Sequence, residues 1–318
     1  MANRTMNHSK HLDVVVAGLA VADVIGRPVE FSRPPKRGAL KLIDSITLTT
    51  GGNVSNVGID LARLGFRVGA ITRVGNDSIG RFVIQHYRTF GIDTEGVIID
   101  AKAQTSATIV GVGGDGERTF LHTRGCMKNF RASDVLSRLP LIQKAPIFVF
   151  GYLGLLPETE KEFKNLFRTL KHETPVKILL DTAAAPRVTA KALKEFLPYV
   201  DYFIPSYEEA VSMTGRKTPE SIVDALLRAG APHVVGVKLA ERGCYISDGR
   251  HAEIVKTKRV KKVVDATGAG DAFVAGFIAG TLKGLDPFRA ARVANAVAAS
   301  CISAVGASTA IRTLDEYL

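Results

Sequence analysis

From Asp265 to Phe273 the chain reads Asp-Ala-Thr-Gly-Ala-Gly-Asp-Ala-Phe, and the spacing of its glycines and acids suits the handling of a transferable anion. Gly268 and Gly270 alternate in a loop that opens into an Ala-rich segment, where Phe273 and Phe277 stand one helical turn apart. Val263-Val264 reads as a strand, so the stretch is expected to run strand, tight turn, helix. Glycine lets backbone N–H groups approach a ligand closely. At a helix start those groups lie at the positive end of the peptide dipoles, which makes a site for a phosphoryl group gathering charge. A carboxylate at Asp271 would repel a resting phosphate, and the role that compensates is removal of a proton from an attacking hydroxyl. The residues alone leave a plainer reading open, in which the glycines only turn the chain and Asp271 is a helix-start acid.

Such a loop needs a sheet to hold it. Asp13 to Leu19 is a continuous apolar run, expected of a strand buried on both faces of a mainly parallel sheet. Asp23 stands just past its C-terminal end, where open α/β sheets bind ligands. Val68 to Val74, Ile147 to Phe150, Lys177 to Asp181, Tyr202 to Pro205 and Val234 to Leu239 read as further strands, with helical stretches between the later ones. Right-handed crossovers would join them into one parallel sheet with helices on both faces. Gly51-Gly52 turns the chain into a helix with a Val57, Leu61, Leu64 face, capped by Asn53 or Ser55 and ended by Gly65.

Val24 to Thr50 is different. Pro28, Pro34, Pro35 and Gly38 break helices, and Ile43 to Thr49 alternates as a half-exposed strand does. Ser106 to Val112 and Arg118 to Thr123 alternate around a Gly113-Gly114-Asp115-Gly116 hairpin turn. Together these stretches predict a small antiparallel sheet apart from the main one. Gly111 to Gly116 matches the dinucleotide G-x-G-x-x-G spacing, but a strand follows it where that motif needs a helix, and no Walker Gly-Lys-Ser/Thr occurs.

At 318 residues and 46% hydrophobic content the chain can bury a full core, and no run of eighteen apolar residues suggests a membrane span. Met1 to His11 is a polar extension without an apolar signal segment. Cys126, Cys244 and Cys301 are odd in number and far apart, as expected of reduced thiols in a cytoplasmic protein. The formal charge of +11 suits anionic small-molecule substrates. Lys256 to Lys262, and the smaller cluster of Arg33, Lys36 and Arg37, lack interleaved aromatics and read as solvated basic faces, so no nucleic-acid partner is expected.

Asp265 to Phe273 resembles the C-terminal signature of the ribokinase-like, or PfkB, carbohydrate kinases, and Gly51-Gly52 with Asn56 resembles their N-terminal one. Gly75-Asn76-Asp77-Ser78-Ile79-Gly80 is similar to the family's Gly-x-Asp-x-x-Gly. The resemblance implies a ribokinase-like α/β domain over residues 12–318, a central mostly parallel sheet with helices on both faces. It also implies a small β-sheet lid from about 24–50 and 104–124, whose edge could pair with its twin in a homodimer.

The activity implied is transfer of the γ-phosphoryl group of ATP, with Mg²⁺, to a hydroxymethyl of a sugar. Asp271 would be the base and Gly268, Ala269 and Gly270 the anion hole. Asp23, Gly51, Gly52, Asn53 and Asn56 fall at substrate-binding positions, Asn53 standing where ribokinase has Lys. Pro205-Ser206-Tyr207-Glu208-Glu209 is similar to the family's Asn-x-x-Glu with Ser206 in place of Asn, which implies that Glu209 positions Mg²⁺ through water. Ser206, Lys238, Ala240, Gly243 and Asn295 fall at nucleotide-binding positions. Asp265 and Thr267, with backbone near Cys301 and Gly306, resemble a monovalent-cation loop, K⁺ being the candidate.

Other acceptors stay open within the family. A nucleoside could stack on Tyr152 or Phe120, and a sugar phosphate could meet Arg37, Arg81 or Arg124. Outside catalysis, a ligand sensor that keeps the fold would explain Ser206, although an intact Asp271 argues against it.

Overall fold

The computed structural model describes residues 11–318 apart from 30, 31, 33, 184–187 and 232. Most of the polar extension expected over residues 1–11, and Arg33 of the small basic cluster, lie outside the described residues. Eight strands form the main sheet, in spatial order Val68–Ile71, Val14–Gly18, Ile147–Leu153, Lys177–Thr182, Tyr202–Phe203, Val234–Lys238, Cys244–Ser247 and Ala252–Val255. The first six run parallel, and an antiparallel hairpin closes one edge. Val14–Gly18 is buried throughout, as its unbroken apolar run predicts for a central strand covered on both faces.

Phe148, Phe150, Phe163 and Phe167 belong to the core on one face of this sheet, and Val14, Val16, Phe273 and Phe277 to the core on the other. On the second face the helix Ala269–Leu282 has no polar side; Asp271 to Gly280 are all buried. A helix apolar all round needs neighbours all round. It has them in the helices Asn53–Arg63 and Pro287–Cys301 and the sheet. This fixes the N-terminus of Ala269–Leu282, and with it the loop that begins at Asp265.

The second sheet has the order Ser45–Gly51, Val21–Arg27, Ala107–Val112, Arg118–Thr123. It is mixed and not antiparallel as expected, because Val21–Arg27 pairs parallel with Ala107–Val112. Those two strands come from insertions some eighty residues apart, so no hairpin constrains their relative direction. The expected Val68 to Val74 strand is also divided. Val68–Ile71 stays in the main sheet, while Arg73–Gly75 leaves it to pair with Ile98–Asp100.

Two local expectations fail for identifiable reasons. Val263-Val264 is no strand: both residues are exposed, and Val264 N–H donates to Ile302 O at 2.8 Å outside any ladder. β-branched residues favour strands only where a partner edge is offered. The helix Asn53–Arg63 is capped by Gly52, with no side-chain cap. Asn53 is spent elsewhere, its Oδ1 accepting from Leu19 N at 2.8 Å and its Nδ2 donating to Ala17 O at 2.9 Å. Ser55 donates to Gly51 O at 2.8 Å.

Candidate active site

Asp271 opens the helix Ala269–Leu282 and is 6% exposed. Its Oδ2 accepts from Asn56 Nδ2 at 2.9 Å, and the Tyr152 hydroxyl lies 2.8 and 2.7 Å from its two oxygens. The three residues come from separate elements, a helix start, the helix Asn53–Arg63 and the strand Ile147–Leu153. Burial raises the Asp271 carboxyl, and the charge of Asp181 raises it further, to about 6. Asn56 and Tyr152 work the other way by donating to the charged form.

Gly268 is the N-cap of this helix, with φ +78°, and a Cβ there would run into Ala307. Only glycine fits both conditions. The Ala269 N–H donates at 3.3 Å to Ala266 O, while the Gly268 and Gly270 N–H groups find no backbone acceptor among the described residues. Lys238 Nζ lies beside them, 3.5 Å from where a Gly270 Cβ would stand, and 3.1 Å from Asp181 Oδ1. Burial works against the ammonium charge of Lys238, but Asp181 and Glu209 outweigh it and its pKa is raised. Burial raises Asp181 in spite of Lys238. Glu209 Oε2 accepts from Thr182 Oγ1 at 2.5 Å and Ser206 N at 3.0 Å. Burial opposes its ionisation, yet Lys238 and these donors hold its pKa below the usual value.

A cavity of about 810 Å³ opens on this side and is lined by Lys238, Gly268, Ala269, Gly270, Asp271, Ser206 and Glu209. Ala240, Gly243 and Asn295 line it as well. Asn295 directs its amide to Val255 O at 2.8 Å. Lys258 and Arg259, expected as part of a solvated face, also line this cavity, where a polyphosphate would meet them.

A second cavity, of about 840 Å³, lies under the small sheet and shares Tyr152 with the first. Cross-strand register builds its roof. Asp23 pairs with Thr108 and Thr108 with His122, so the three stand in one row on one face. Thr108 Oγ1 is 3.1 Å from His122 Nδ1 and stands beside the Asp23 carboxyl, whose pKa burial raises. Phe120, two residues before His122, lines the same cavity. A Cβ on Gly51 would collide with Asp23 Oδ2, so glycine is what lets that carboxylate lie against the chain turn. Gly52 lines the cavity. Asn53 does not; fully buried and bonded to the first strand, it positions the turn and offers nothing to a ligand.

The residues 11–314 match the profile of the pfkB family carbohydrate kinases. The chain belongs to that family. This pfkB kinase is 28% identical over 294 residues to a 2-dehydro-3-deoxygluconokinase of Bacillus subtilis, covering 88% of each chain. It is 26% identical to a ribokinase of Haemophilus influenzae, over 96% of this chain and 97% of that one. Its ribokinase-like fold superposes on that of Arabidopsis thaliana ribokinase, solved with ribose and ATP, with a TM-score of 0.82 at 24% identity, covering 96% and 97% of the two chains. The small sheet of the pfkB kinase, with strands Val21–Arg27, Ser45–Gly51, Ala107–Val112 and Arg118–Thr123, falls on the stretches from which a lid was expected. No helix among the described residues is long and apolar enough to cross a membrane.

The structure adds residues that the sequence reading of the site passed over. Tyr152, expected as a ring on which a base could stack, places its hydroxyl on Asp271. Its position at the carboxyl end of a central strand was the available signal. Asp181 has the same signal, closing the strand Lys177–Thr182. Of the three arginines considered for a substrate phosphate, only Arg124 lines the lid cavity; Arg37 and Arg81 are exposed elsewhere.

Proposed function

We propose that the chain transfers the γ-phosphoryl group of MgATP to a primary hydroxyl of a sugar that carries an anionic group, with Asp271 as the base. One observation carries this reading. The buried Asp271 carboxylate stands where two cavities of about 810 and 840 Å³ meet, bonded to the Tyr152 hydroxyl that belongs to both. Nucleotide occupies the cavity lined by Lys238 and the Gly268–Gly270 loop, and the sugar occupies the cavity under the lid.

The sugar hydroxyl docks against Asp271, whose orientation Asn56 and Tyr152 hold before the substrate arrives. Asp271 takes the hydroxyl proton as the oxygen attacks phosphorus; the bond to the ADP leaving oxygen breaks as the new one forms. The Gly268 and Gly270 N–H groups and the Lys238 ammonium meet the charge on the transferring group. Glu209 and Asp181 would hold the water shell of Mg²⁺, which when bound would supply charge that neutralises the phosphates. Asp23 and Thr108 read sugar hydroxyls from the lid. Closure keeps water from the phosphoryl group and so prevents wasteful ATP hydrolysis.

The anionic character of the acceptor is read from the far wall of the lid cavity. His122, Arg124 and Lys128 line it, and neither the Arg124 nor the Lys128 side chain has a hydrogen-bond or ion-pair partner among the described residues. Their acidic neighbour Glu158 is already paired with Arg131 and Lys161. A carboxylate or phosphate on the sugar would give this guanidinium its bidentate partner. The Bacillus relative, named for a sugar acid, agrees with that choice. Release of ADP from MgATP is the test, across neutral aldoses and ketoses, sugar acids, sugar phosphates and nucleosides. Turnover is expected with a sugar acid or sugar phosphate. A neutral sugar or nucleoside that turns over faster would remove the anionic acceptor, and silence across the panel would remove the kinase reading.

A further inference from the structure

The loop from Asp265 to Thr267 does not suit the monovalent cation that its sequence suggested. Asp265 Oδ1 accepts from Thr267 N at 3.0 Å, and Oδ2 accepts from Gly306 N at 2.9 Å. The Arg118 guanidinium takes what remains, Nη2 on Asp265 Oδ2 and Nη1 on Thr267 Oγ1 at 2.5 Å. The Cys301 thiol donates to Thr267 O at 3.4 Å and to Ala307 O at 2.9 Å. A fixed positive charge and a full set of N–H donors therefore occupy the carboxylate that a cation would need.

Arg118 belongs to the lid. On the strand Arg118–Thr123 the side chains at 118, 120 and 122 share one face, and Phe120 and His122 of that face line the acceptor cavity. The pair is largely shielded, with Arg118 at 22% and Asp265 at 6% exposure. We propose that Arg118 is a positioning residue that replaces the monovalent cation, bracing the anion loop from the small sheet. The strand that feels the sugar through His122 and Phe120 carries the guanidinium that orders Asp265 and Thr267. Loop order, and with it phosphoryl transfer, is then coupled to acceptor binding through one rigid strand.

This inference rests on the kinase reading above for its purpose, but its first test needs no turnover. Amide hydrogen exchange at Thr267 and Gly306, which donate to Asp265, is expected to speed up roughly tenfold to a hundredfold in Arg118→Ala, the loss of a charge-assisted pair. Arg118→Lys keeps the charge without the fork and is expected to fall between. Unaltered exchange in a folded Arg118→Ala protein would overturn the proposal whether or not the enzyme is active. In the active enzyme, wild-type kcat is expected to be the same in K⁺, Na⁺ and choline buffers. Arg118→Ala should lose kcat by about the same factor with KM for ATP little changed, and millimolar guanidinium ion should restore part of it. A wild type that requires K⁺, beside an Arg118→Ala variant that keeps its rate, would return the loop to the cation.

Discussion

The two walls of the active site are built on opposite principles. The proposed phosphoryl side stands on the main sheet, where Asp181 and Asp271 are buried, half-buried Lys238 donates to Asp181, and Asn56 donates to Asp271. The proposed acceptor side hangs from the small four-stranded sheet, whose other face is open to solvent, with Ile46 at 71%, Ile109 at 54% and Leu121 at 55% exposure. On the proposed reading, chemistry is set in the part with the larger core. Recognition, which requires entry and exit, is carried by the part with the smaller core.

The sharpest break of this comparison is Asp271→Asn. The amide cannot accept the hydroxyl proton, and kcat is expected to fall by on the order of 10²–10⁴ while nucleotide binding persists. Stability should move in the other direction. Asp271 has a folded pKa raised to about 6 from 3.8, so the folded state binds the extra proton and stability falls as pH rises from about 4 to about 6. At neutral pH the wild type bears that cost, at most roughly 3 kcal/mol for a two-unit shift. Asp271→Asn removes it, and a melting temperature at pH 7.5 raised by a few degrees is expected. A variant that is both inactive and less stable would show that Asp271 serves packing instead.

Next in size is the buried charge cluster. Lys238→Met leaves Asp181 and Glu209 without their shared counter-charge, which in a dry site costs about 3–5 kcal/mol. Asp181→Asn should act on the pH profile. The wild-type rate is expected to rise through a limb near pH 6, and removing the charge of Asp181 should move that limb to lower pH, because Asp181 helps to raise Asp271. A limb that stays in place would mean that another group titrates.

How far the chain could be read without coordinates follows the same division. The buried wall was legible as structure: the continuous apolar run signals the doubly covered strand Val14–Gly18, and the glycine spacing before Asp271 signals the tight turn into a helix, because burial on both faces and close backbone approach each demand particular residue types. The lid was legible as strands and not as a sheet, since the parallel pairing of Val21–Arg27 with Ala107–Val112 is settled by contacts far apart in sequence. Tyr152 and Arg118 were missed for a related reason. Each acts on a partner more than a hundred residues away, on Asp271 and Asp265, and no local pattern reports such a contact. Val263-Val264 shows the converse failure, a sound local preference with no edge to satisfy it.

On the lid wall, effects should be smaller and should fall on KM. Arg124→Ala is expected to raise KM for an anionic acceptor by about 10- to 100-fold, the worth of one charge-assisted hydrogen-bonded contact, with kcat within a few-fold of wild type. The same variant should leave a neutral analogue of that sugar unaffected. Equal losses for both acceptors would mean that Arg124 shapes the cavity without reading charge, and the contrast between a wall for chemistry and a wall for recognition would lose its best support.

The smallest effect expected concerns the outer face of the lid. Leu48, Val24, Ile109 and Leu121 form one cross-strand row, of which Leu48, Ile109 and Leu121 are exposed large hydrophobics. An apolar row on a thin sheet would suit a second copy of the chain, and a sheet clasped by its twin would gain the core it lacks. Leu121→Lys places a charge on that row without touching the cavity, because residues 120 and 122 point the other way. If the lid pairs, sedimentation at micromolar concentration should show wild-type dimers and a monomeric variant whose KM for acceptor rises a few-fold while kcat holds. Monomers in both cases would mean that the lid works with one face bare, and that the helix Ala269–Leu282 and the sheet beneath it supply all the order the site requires.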